Sequence, residues 1–286
     1  SFIGLPLVDK LDRDPMHVTS FGVGLLIKNA IAEGYRNFYI GLGGSATNDA
    51  GAGMIQALGF ILLDKDGGEV GFGAQGAGKV VKIDTSRVVP ELDECNFTVL
   101  CDVENPLLGM NGCTYVFSPQ KGADPTELSK MDAYLATFAE CAKKAIPTAN
   151  PELPSSGAAG GLGFGLMCLC NAHKRSGIEV MLELTHFESL VQQVDLVITG
   201  EGKTDKQTAY GKAPVGIAKM SKKYHKPVVL ISGVIEQDVD LSEFGIIKQY
   251  SCVPYGTNIE EAISNAENNL YITTKKMMED IYGTLV

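Results

Sequence analysis

A two-domain α/β fold with parallel strands is predicted by three features of the sequence. Short apolar runs, among them FYIGL, FILL, TVLCDV, DLVIT and PVVLIS, alternate with helical stretches, as strands do when right-handed crossovers join them in one sheet. Several of these runs end in turns rich in glycine and polar side chains, the position where open α/β sheets hold ligands. The length of 286 residues, 45% of them apolar, suffices for one large or two modest cores.

The elements follow in order. From Thr19 the chain turns helical, with Ser20 as N-cap, Leu25, Leu26, Ala30 and Ile31 on one face, and Gly34 as the stop. FYIGL, from Phe38, reads as a buried strand, NDAGAGMIQALG as a short helix ending at Gly59, and FILL, from Phe60, as a strand closed by the DKDGG turn. Beyond a glycine-rich stretch, TVLCDV forms a third strand ending on Asp102. A long helix starts near Thr126, because Leu128, Met131, Leu135, Phe138, Ala142 and Ile146 recur at three- and four-residue steps. SSGAAGGLGFGLMCLC, from Ser155, is too rich in glycine to assign by pattern, although its second half has the composition of a buried helix. From Val194 the rhythm is strand DLVIT, loop GEGKTDKQTAYGKAP, helix VGIAKMSKKYHK, strand PVVLIS, strand QYSCV and a long terminal helix from Ile259. A boundary near residue 190 divides the chain into domains 1–190 and 191–286.

Composition excludes several classes. A net charge of −10 with no dense Lys/Arg block argues against a nucleic-acid or anionic-membrane surface. No apolar run approaches the eighteen or so residues of a membrane span. Seven cysteines without a CxxC pair fit neither a disulfide framework nor a zinc site, and point to a reducing cytoplasm. Cys168 and Cys170 read as buried thiols, and the four histidines, His17, His173, His186 and His225, lack metal-ligand spacing. The opening SFIGLPLV is neither a signal peptide nor a transit sequence.

Candidate chemistry lies in the turns. Gly41-x-Gly43-x-x-Ala46, with Asp64 after the next strand, satisfies a loose dinucleotide fingerprint and keeps a nicotinamide (NAD) dehydrogenase of hydroxy acids in view. Yet Ser45, Thr47, Asn48 and Asp49 offer hydroxyl, amide and carboxylate groups beside glycine-freed backbone amides, which suits a small polar ligand or phosphates at a helix start. The alternative is that Asn48 or Asp49 merely caps the helix. In the loop after DLVIT, Glu201 and Asp205 can face a metal or accept a proton, and Lys203, Lys206 and Lys212 can meet phosphate. Asp102, at a strand's end, is either a metal-side carboxylate or a turn acid, and Lys121 either an anion partner or a solvated turn residue. Neither a Walker loop nor a GxSxG elbow occurs.

Taken together, GLGGSATNDAGAGMIQALG, CDVENPL, SPQKGA, SGAAGGLGFG, SGIEVML and DLVITGEGKTDKQTAYGKAPVGIAK, in this order, resemble the type I glycerate kinases of bacteria over essentially the whole chain. The resemblance implies Mg²⁺-dependent phosphorylation of D-glycerate by ATP, usually to the 2-phosphate. It implies a flavodoxin-like domain, to which residues from about 191 onward belong, with a second, mixed-sheet domain inserted into it and the active site in the cleft between the two. On that reading Asp205 is the first candidate base, Asp49 the second, and Lys212 a catalytic cation. Gly43, Gly44, Ser45, Thr47, Asn48 and Lys121 hold glycerate; Gly200, Glu201, Gly202, Lys203, Gly160 and Gly161 hold ATP; Asp102 and Glu201 hold the metal.

Some positions depart from the family pattern. Ala50 and Ser118 stand where glycine is commoner, Ser155 and Ser156 replace a Gly-Ala pair, and Lys203 replaces arginine, keeping the charge without the bidentate fork. Relatives also begin with a substantial segment before the point at which this sequence opens. Such a chain is expected to recruit that segment or a second copy of itself, as a homodimer, or to survive as a ligand-binding remnant without turnover.

Overall fold

The computed structural model describes residues 4–285, which divide into two compact units, Ser1–Ser176 and Gly177–Val286. In the first unit, helix α1 (Phe21–Ala32) leads to strand β1 (Asn37–Gly41), helix α2 (Ala52–Ala57) and strand β2 (Ile61–Leu63). Helix α3 (Gly73–Ala77), strand β3 (Lys82–Asp84), strand β4 (Asn96–Leu100) and helices α4 (Cys113–Phe117), α5 (Leu128–Ala145) and α6 (Ala158–Phe164) follow, before strand β5 (His173–Arg175). Strands β1, β4 and β5 form a parallel sheet in that order, with Asn37 opposite Asn96 and Thr98 opposite His173. Strands β2 and β3 pair antiparallel, Leu62 opposite Ile83.

The core of this unit gathers Met54, Leu58, Phe97, Leu135, Phe138 and Phe164, all fully buried. At about 1.5–3 kcal/mol for each such side chain, their burial is the main stabilising contribution of the unit. Phe38 stacks on Phe97 with ring centroids 4.9 Å apart, and Phe138 meets Phe164 edge-on at 6.2 Å. Helix α5 buries Met131, Leu135, Phe138, Ala139 and Ala142, the face its three- and four-residue spacing specifies.

One local expectation is corrected. Helix α1 buries Gly24, Ile27 and Ile31, while Leu25 and Leu26 are each 43% exposed. Gly24 decides this rotation: a Cβ there would lie 2.2 Å from the Met54 carbonyl oxygen, so the glycine face is the one that approaches α2. The glycine-rich stretch after β2 holds α3 and β3, and HKR forms β5, a strand of three polar residues with no alternation to betray it.

The second unit begins with helices α7 (Gly177–Leu184) and α8 (Phe187–Val191), which a boundary near residue 190 would assign to the first domain. Both pack against helix α9 (Ala213–Lys223), which follows strand β6 (Val197–Thr204). Strands β7 (Val228–Ile235) and β8 (Ile246–Ser251) complete a parallel sheet in the order β6, β7, β8. The period of two sorts β7 onto two cores. Val228 and Leu230 pack with Val215 and Ala218 of α9, and Val229 and Ile231 with Met277 and Ile281 from the chain's end. The expected single terminal helix is broken at Asn265 into α10 (Ile259–Ser264) and α11 (Ala266–Leu285), and Asn258 caps the first piece by accepting from the amides of Glu260 and Glu261. No helix among the described residues is long and apolar enough to cross a membrane.

Candidate active site

In the first unit, β1 ends at Gly41 and the chain enters the turn Gly43–Asn48. Gly43 and Gly44 are exposed, and a Cβ at either would meet nothing within 4 Å. Behind them the loop is tied from below by Lys121, 2% exposed, whose Nζ donates to Ser45 Oγ and to the Thr47 carbonyl, each at 2.8 Å. Burial pushes the Lys121 ammonium down to about 8, only partly offset by the charge of Asp49. Asn48 Nδ2 donates to Thr114 Oγ1 at 3.0 Å, while Asn48 Oδ1 and, nearby in sequence to Lys121, Ser118 Oγ are buried without a hydrogen-bond partner.

Asp49 has another task. Its Oδ2 accepts from the Ser20 amide at 2.8 Å, Ser20 Oγ at 2.9 Å, Thr19 Oγ1 at 3.3 Å and the Gly53 amide at 3.3 Å, and Oδ1 accepts from the Gly51 amide at 3.1 Å. Ser20 Oγ in turn accepts from the Met54 amide at 2.9 Å. The carboxylate therefore clamps the starts of α1 and α2 together, satisfying amides that a helix leaves orphaned. Burial raises its pKa, and the hydrogen bonds from Ser20, Gly51 and Gly53 lower it. A side chain with no exposed surface and this set of donors is a helix anchor, not the second base expected from the sequence.

Gly160 and Gly161 are likewise corrected. Ala159, Gly160 and Gly161 form a left-handed turn inside α6, with φ of 53°, 68° and 85°, before a π-helical turn over Gly165–Leu169. A Cβ on Gly160 would lie 1.8 Å from the Thr47 carbonyl oxygen, and one on Gly161 2.6 Å from Ala50 Cα. The Ala50 amide donates to the Gly160 carbonyl at 3.0 Å. These buried glycines exist so that two backbones can touch, which leaves no room for ATP phosphates.

In the second unit, GEGKT is not a loop. It continues β6, with Glu201 opposite Ser232 and Lys203 opposite Val234, so Gly200 and Gly202 are strand glycines. Gly233 on β7 is small for the same reason: a Cβ there would lie 2.4 Å from the Gly202 carbonyl oxygen. At the carboxyl end of β6 the charges converge. Asp205, with its side chain 18% exposed, accepts from Lys212 Nζ at 3.2 Å, with Lys203 Nζ 3.9 Å away. Burial works to raise the Asp205 carboxyl, but the hydrogen bond and charge of Lys212, the Gln207 amide and the charge of Lys203 together hold it below the usual carboxylate range. Lys203 also pairs with Glu236 at 2.6 Å, and this contact raises its pKa. Glu201 Oε1 accepts from Thr204 Oγ1 at 2.8 Å and Thr208 Oγ1 at 2.9 Å, both hydroxyls on fully buried residues, leaving Oε2 for another partner.

Next to this cluster lies a cavity of about 770 Å³, at the carboxyl ends of the second unit's strands, walled by β6, β7, the turn after β8, and α10 and α11. Asp102, the other expected metal ligand, is an exposed turn residue after β4 in the first unit. Among the described residues no group of three or more His, Cys, Asp or Glu side chains is arranged to hold a metal.

A family model described as the glycerate kinase family matches residues 1–282. The chain belongs to the glycerate kinase family. It is 43% identical over 268 residues to the glycerate 2-kinase of Escherichia coli K12, covering 93% of this chain and 70% of that one. It is 43% identical over 279 residues to the glycerate kinase of Bacillus subtilis 168, covering 97% and 73%. A crystal structure from Salmonella typhimurium LT2, of a protein assigned as glycerate kinase 2, superposes with a TM-score of 0.81 at 38% identity, covering 99% of this chain and 74% of that one.

Membership of this kinase family removes the dehydrogenase reading, and the local geometry gives the reason. Helix α2, after the GxG turn, has six residues, and Asp64 Oδ1 is taken by the amides of Asp66 and Gly68, each at 2.9 Å. Within the family frame, the structure brings Glu201, Lys203, Asp205 and Lys212 together and joins Ser45, Thr47 and Lys121. Sequence reading missed Glu236, Thr204 and Thr208. Only Glu236 lacked a signal altogether, because it arrives from the end of a different strand.

Proposed function

We propose that this protein transfers the γ-phosphoryl group of ATP to D-glycerate, at the 2-hydroxyl, as the name of the Escherichia coli relative describes. The observation that carries the reading is the Asp205 carboxylate, ionised and held between Lys212 and Lys203 at the carboxyl end of a parallel strand. The acceptor hydroxyl gives its proton to Asp205 as its oxygen forms a bond to the γ-phosphorus. The bond from that phosphorus to the β-γ bridging oxygen breaks, and ADP leaves. Lys212 fixes Asp205 and balances charge that develops on the transferring group. The exposed Gly43–Ser45 turn of the first unit, which Lys121 stiffens and whose glycines leave space for a ligand, offers its own amides to an anionic group.

The donor set suits Mg²⁺ carried in with the nucleotide, since that ion keeps water and phosphate ligands and asks the protein for one or two carboxylates. Glu201, through its uncommitted Oε2, is the residue that would hold it, and bound there it would neutralise phosphate charge. Cysteines that are all free among the described residues support a reducing, cytoplasmic setting.

The test is ADP release from ATP on addition of D-glycerate, with ³¹P NMR of the product to distinguish the 2- from the 3-phosphate. Glycerate-dependent turnover that yields the 2-phosphate and needs Mg²⁺ is expected. ATP consumption stimulated by another hydroxy acid or a sugar, but not by glycerate, would sink the substrate; the 3-phosphate as sole product would sink the regiochemistry.

A further inference from the structure

The Asp205 cluster contains one charged side chain, Glu236, that has no part in the proposed phosphoryl transfer. The last strand pair of β6 and β7 sets Thr204 opposite Ile235, and the Glu236 amide extends this ladder by donating to the Thr204 carbonyl at 2.9 Å. Asp205 and Glu236 are therefore the next residues out on two neighbouring parallel strands. Side chains two apart along a strand share a face, which brings Lys203 and Asp205 to the side where Glu236 stands.

Two carboxylates this close repel unless a cation stands between them. Lys203 is that cation, and it is shared unequally: its Nζ donates to Glu236 Oε1 at 2.6 Å and stays 3.9 Å from Asp205 Oδ2. The two oxygens of Asp205 differ as a result. Oδ1 accepts from the Gln207 amide at 2.9 Å and from Lys212 Nζ at 3.2 Å, whereas Oδ2 accepts a hydrogen bond from none of the described residues. If Lys203 closed on Oδ2, both oxygens would be committed and neither could take a proton without breaking an ion pair. Glu236 is what keeps the lysine off.

We propose that Glu236 is a positioning residue for the reaction: by holding Lys203 it leaves Asp205 Oδ2 free to receive the proton of the acceptor hydroxyl. The proposal rests on the reading of Asp205 as the base. Its size follows from exposure. The Lys203 side chain is 51% exposed and that of Glu236 28%, so solvent screens the pair, and losing it is worth a change of about fivefold in rate rather than the larger factors of a buried pair. Removing the Glu236 charge leaves its backbone amide on Thr204 and touches neither core of the second unit, so the variant folds.

The experiment is a double-mutant cycle on the intact protein, read as the single-turnover rate of ADP formation from ATP and D-glycerate. Glu236→Gln slows that rate about fivefold and leaves the glycerate KM within about twofold of wild type. In a Lys203→Met background the same substitution changes the rate by less than about twofold, because no lysine remains to close on Oδ2. A wild-type rate in Glu236→Gln overturns the proposal, and so does a loss that persists undiminished without Lys203. A second readout needs no turnover: the ¹⁵N–¹H signal of the Lys203 ammonium, assigned by its loss in Lys203→Met. It moves on Glu236→Gln and ignores Asp205→Asn in the wild type, but responds to Asp205→Asn once Glu236 is glutamine. A signal that follows Asp205 with Glu236 present overturns the pairing. The expected signals, in a protein that forms no ADP with glycerate, uphold the pairing and overturn the kinase reading instead.

Discussion

Lys121 gives the most quantitative prediction, because its ammonium is buried against two neutral oxygens, Ser45 Oγ and the Thr47 carbonyl. Burial lowers its pKa from 10.5 to about 8. The unfolded chain then holds a proton that the folded chain releases across the window from 8 to 10.5, so stability rises with pH through that window. Integrating the two titrations gives a destabilisation on the order of 3 kcal/mol at pH 7, of which about 1 kcal/mol is recovered by pH 9. Lys121→Met keeps the length and removes the titration. With a urea m-value of roughly 2 kcal/mol per M, the wild-type midpoint should move up by roughly 0.5 M relative to the variant between pH 7 and 9. The measurement is urea unfolding of both proteins at pH 7, 8 and 9, followed by a probe in the first unit. Parallel pH curves for the two proteins would refute the buried ammonium.

The other predictions test roles the geometry has separated. Asp205→Asn should lower kcat by about 10²- to 10⁴-fold with ADP affinity retained, and a variant with kcat within threefold of wild type would remove Asp205 as the base. Lys212→Met should reduce kcat/KM by roughly ten- to hundredfold through loss of a charge-assisted bond; an unchanged value in steady-state assays returns the lysine to solvent. Gly160→Ala, with its Cβ 1.8 Å from the Thr47 carbonyl, should destabilise by about 1–3 kcal/mol, whereas Gly43→Ala, in open space, should leave the melting temperature unchanged and raise the glycerate KM. Asp49→Asn turns one acceptor into a donor facing amides, so it should cost about 2–4 kcal/mol in thermal unfolding. If it instead abolished turnover at an unchanged melting temperature, Asp49 would be the base after all.

The parts of the fold written in side-chain periodicity were legible, and those written in backbone contacts were not. Helix α5 shows its buried face in the spacing of Met131, Leu135, Phe138 and Ala142, and β7 opens with the apolar run Val228–Ile231 because both of its faces are covered there. Strand β5 and the polar half of β6 carry no such pattern: His173, Lys174 and Arg175 join a sheet only because β4 offers them an edge. The GEGKT segment looks like a loop by composition, yet it pairs with β7 through Thr204.

Glycine explains why the site was only half readable. A sequence shows that a glycine is present but not which of two demands it answers, space for a ligand or space for another strand of backbone. Gly43 and Gly44 have room for a ligand on their Cβ side, since a Cβ at either would meet nothing within 4 Å, while Gly160, Gly161 and Gly233 answer the second. The same ambiguity affects the carboxylates. Asp49 and Asp205 both stand beside glycine-rich turns, but only the partners distinguish them: Asp49 is met by amides and hydroxyls of two helix starts, and Asp205 by lysines. Amides that must be satisfied in every folded molecule fix a carboxylate permanently. Partly exposed lysine charges hold Asp205 ionised, the condition for accepting a proton from a substrate. The base proposed for the reaction is therefore the carboxylate whose partners can be rearranged without unfolding the chain.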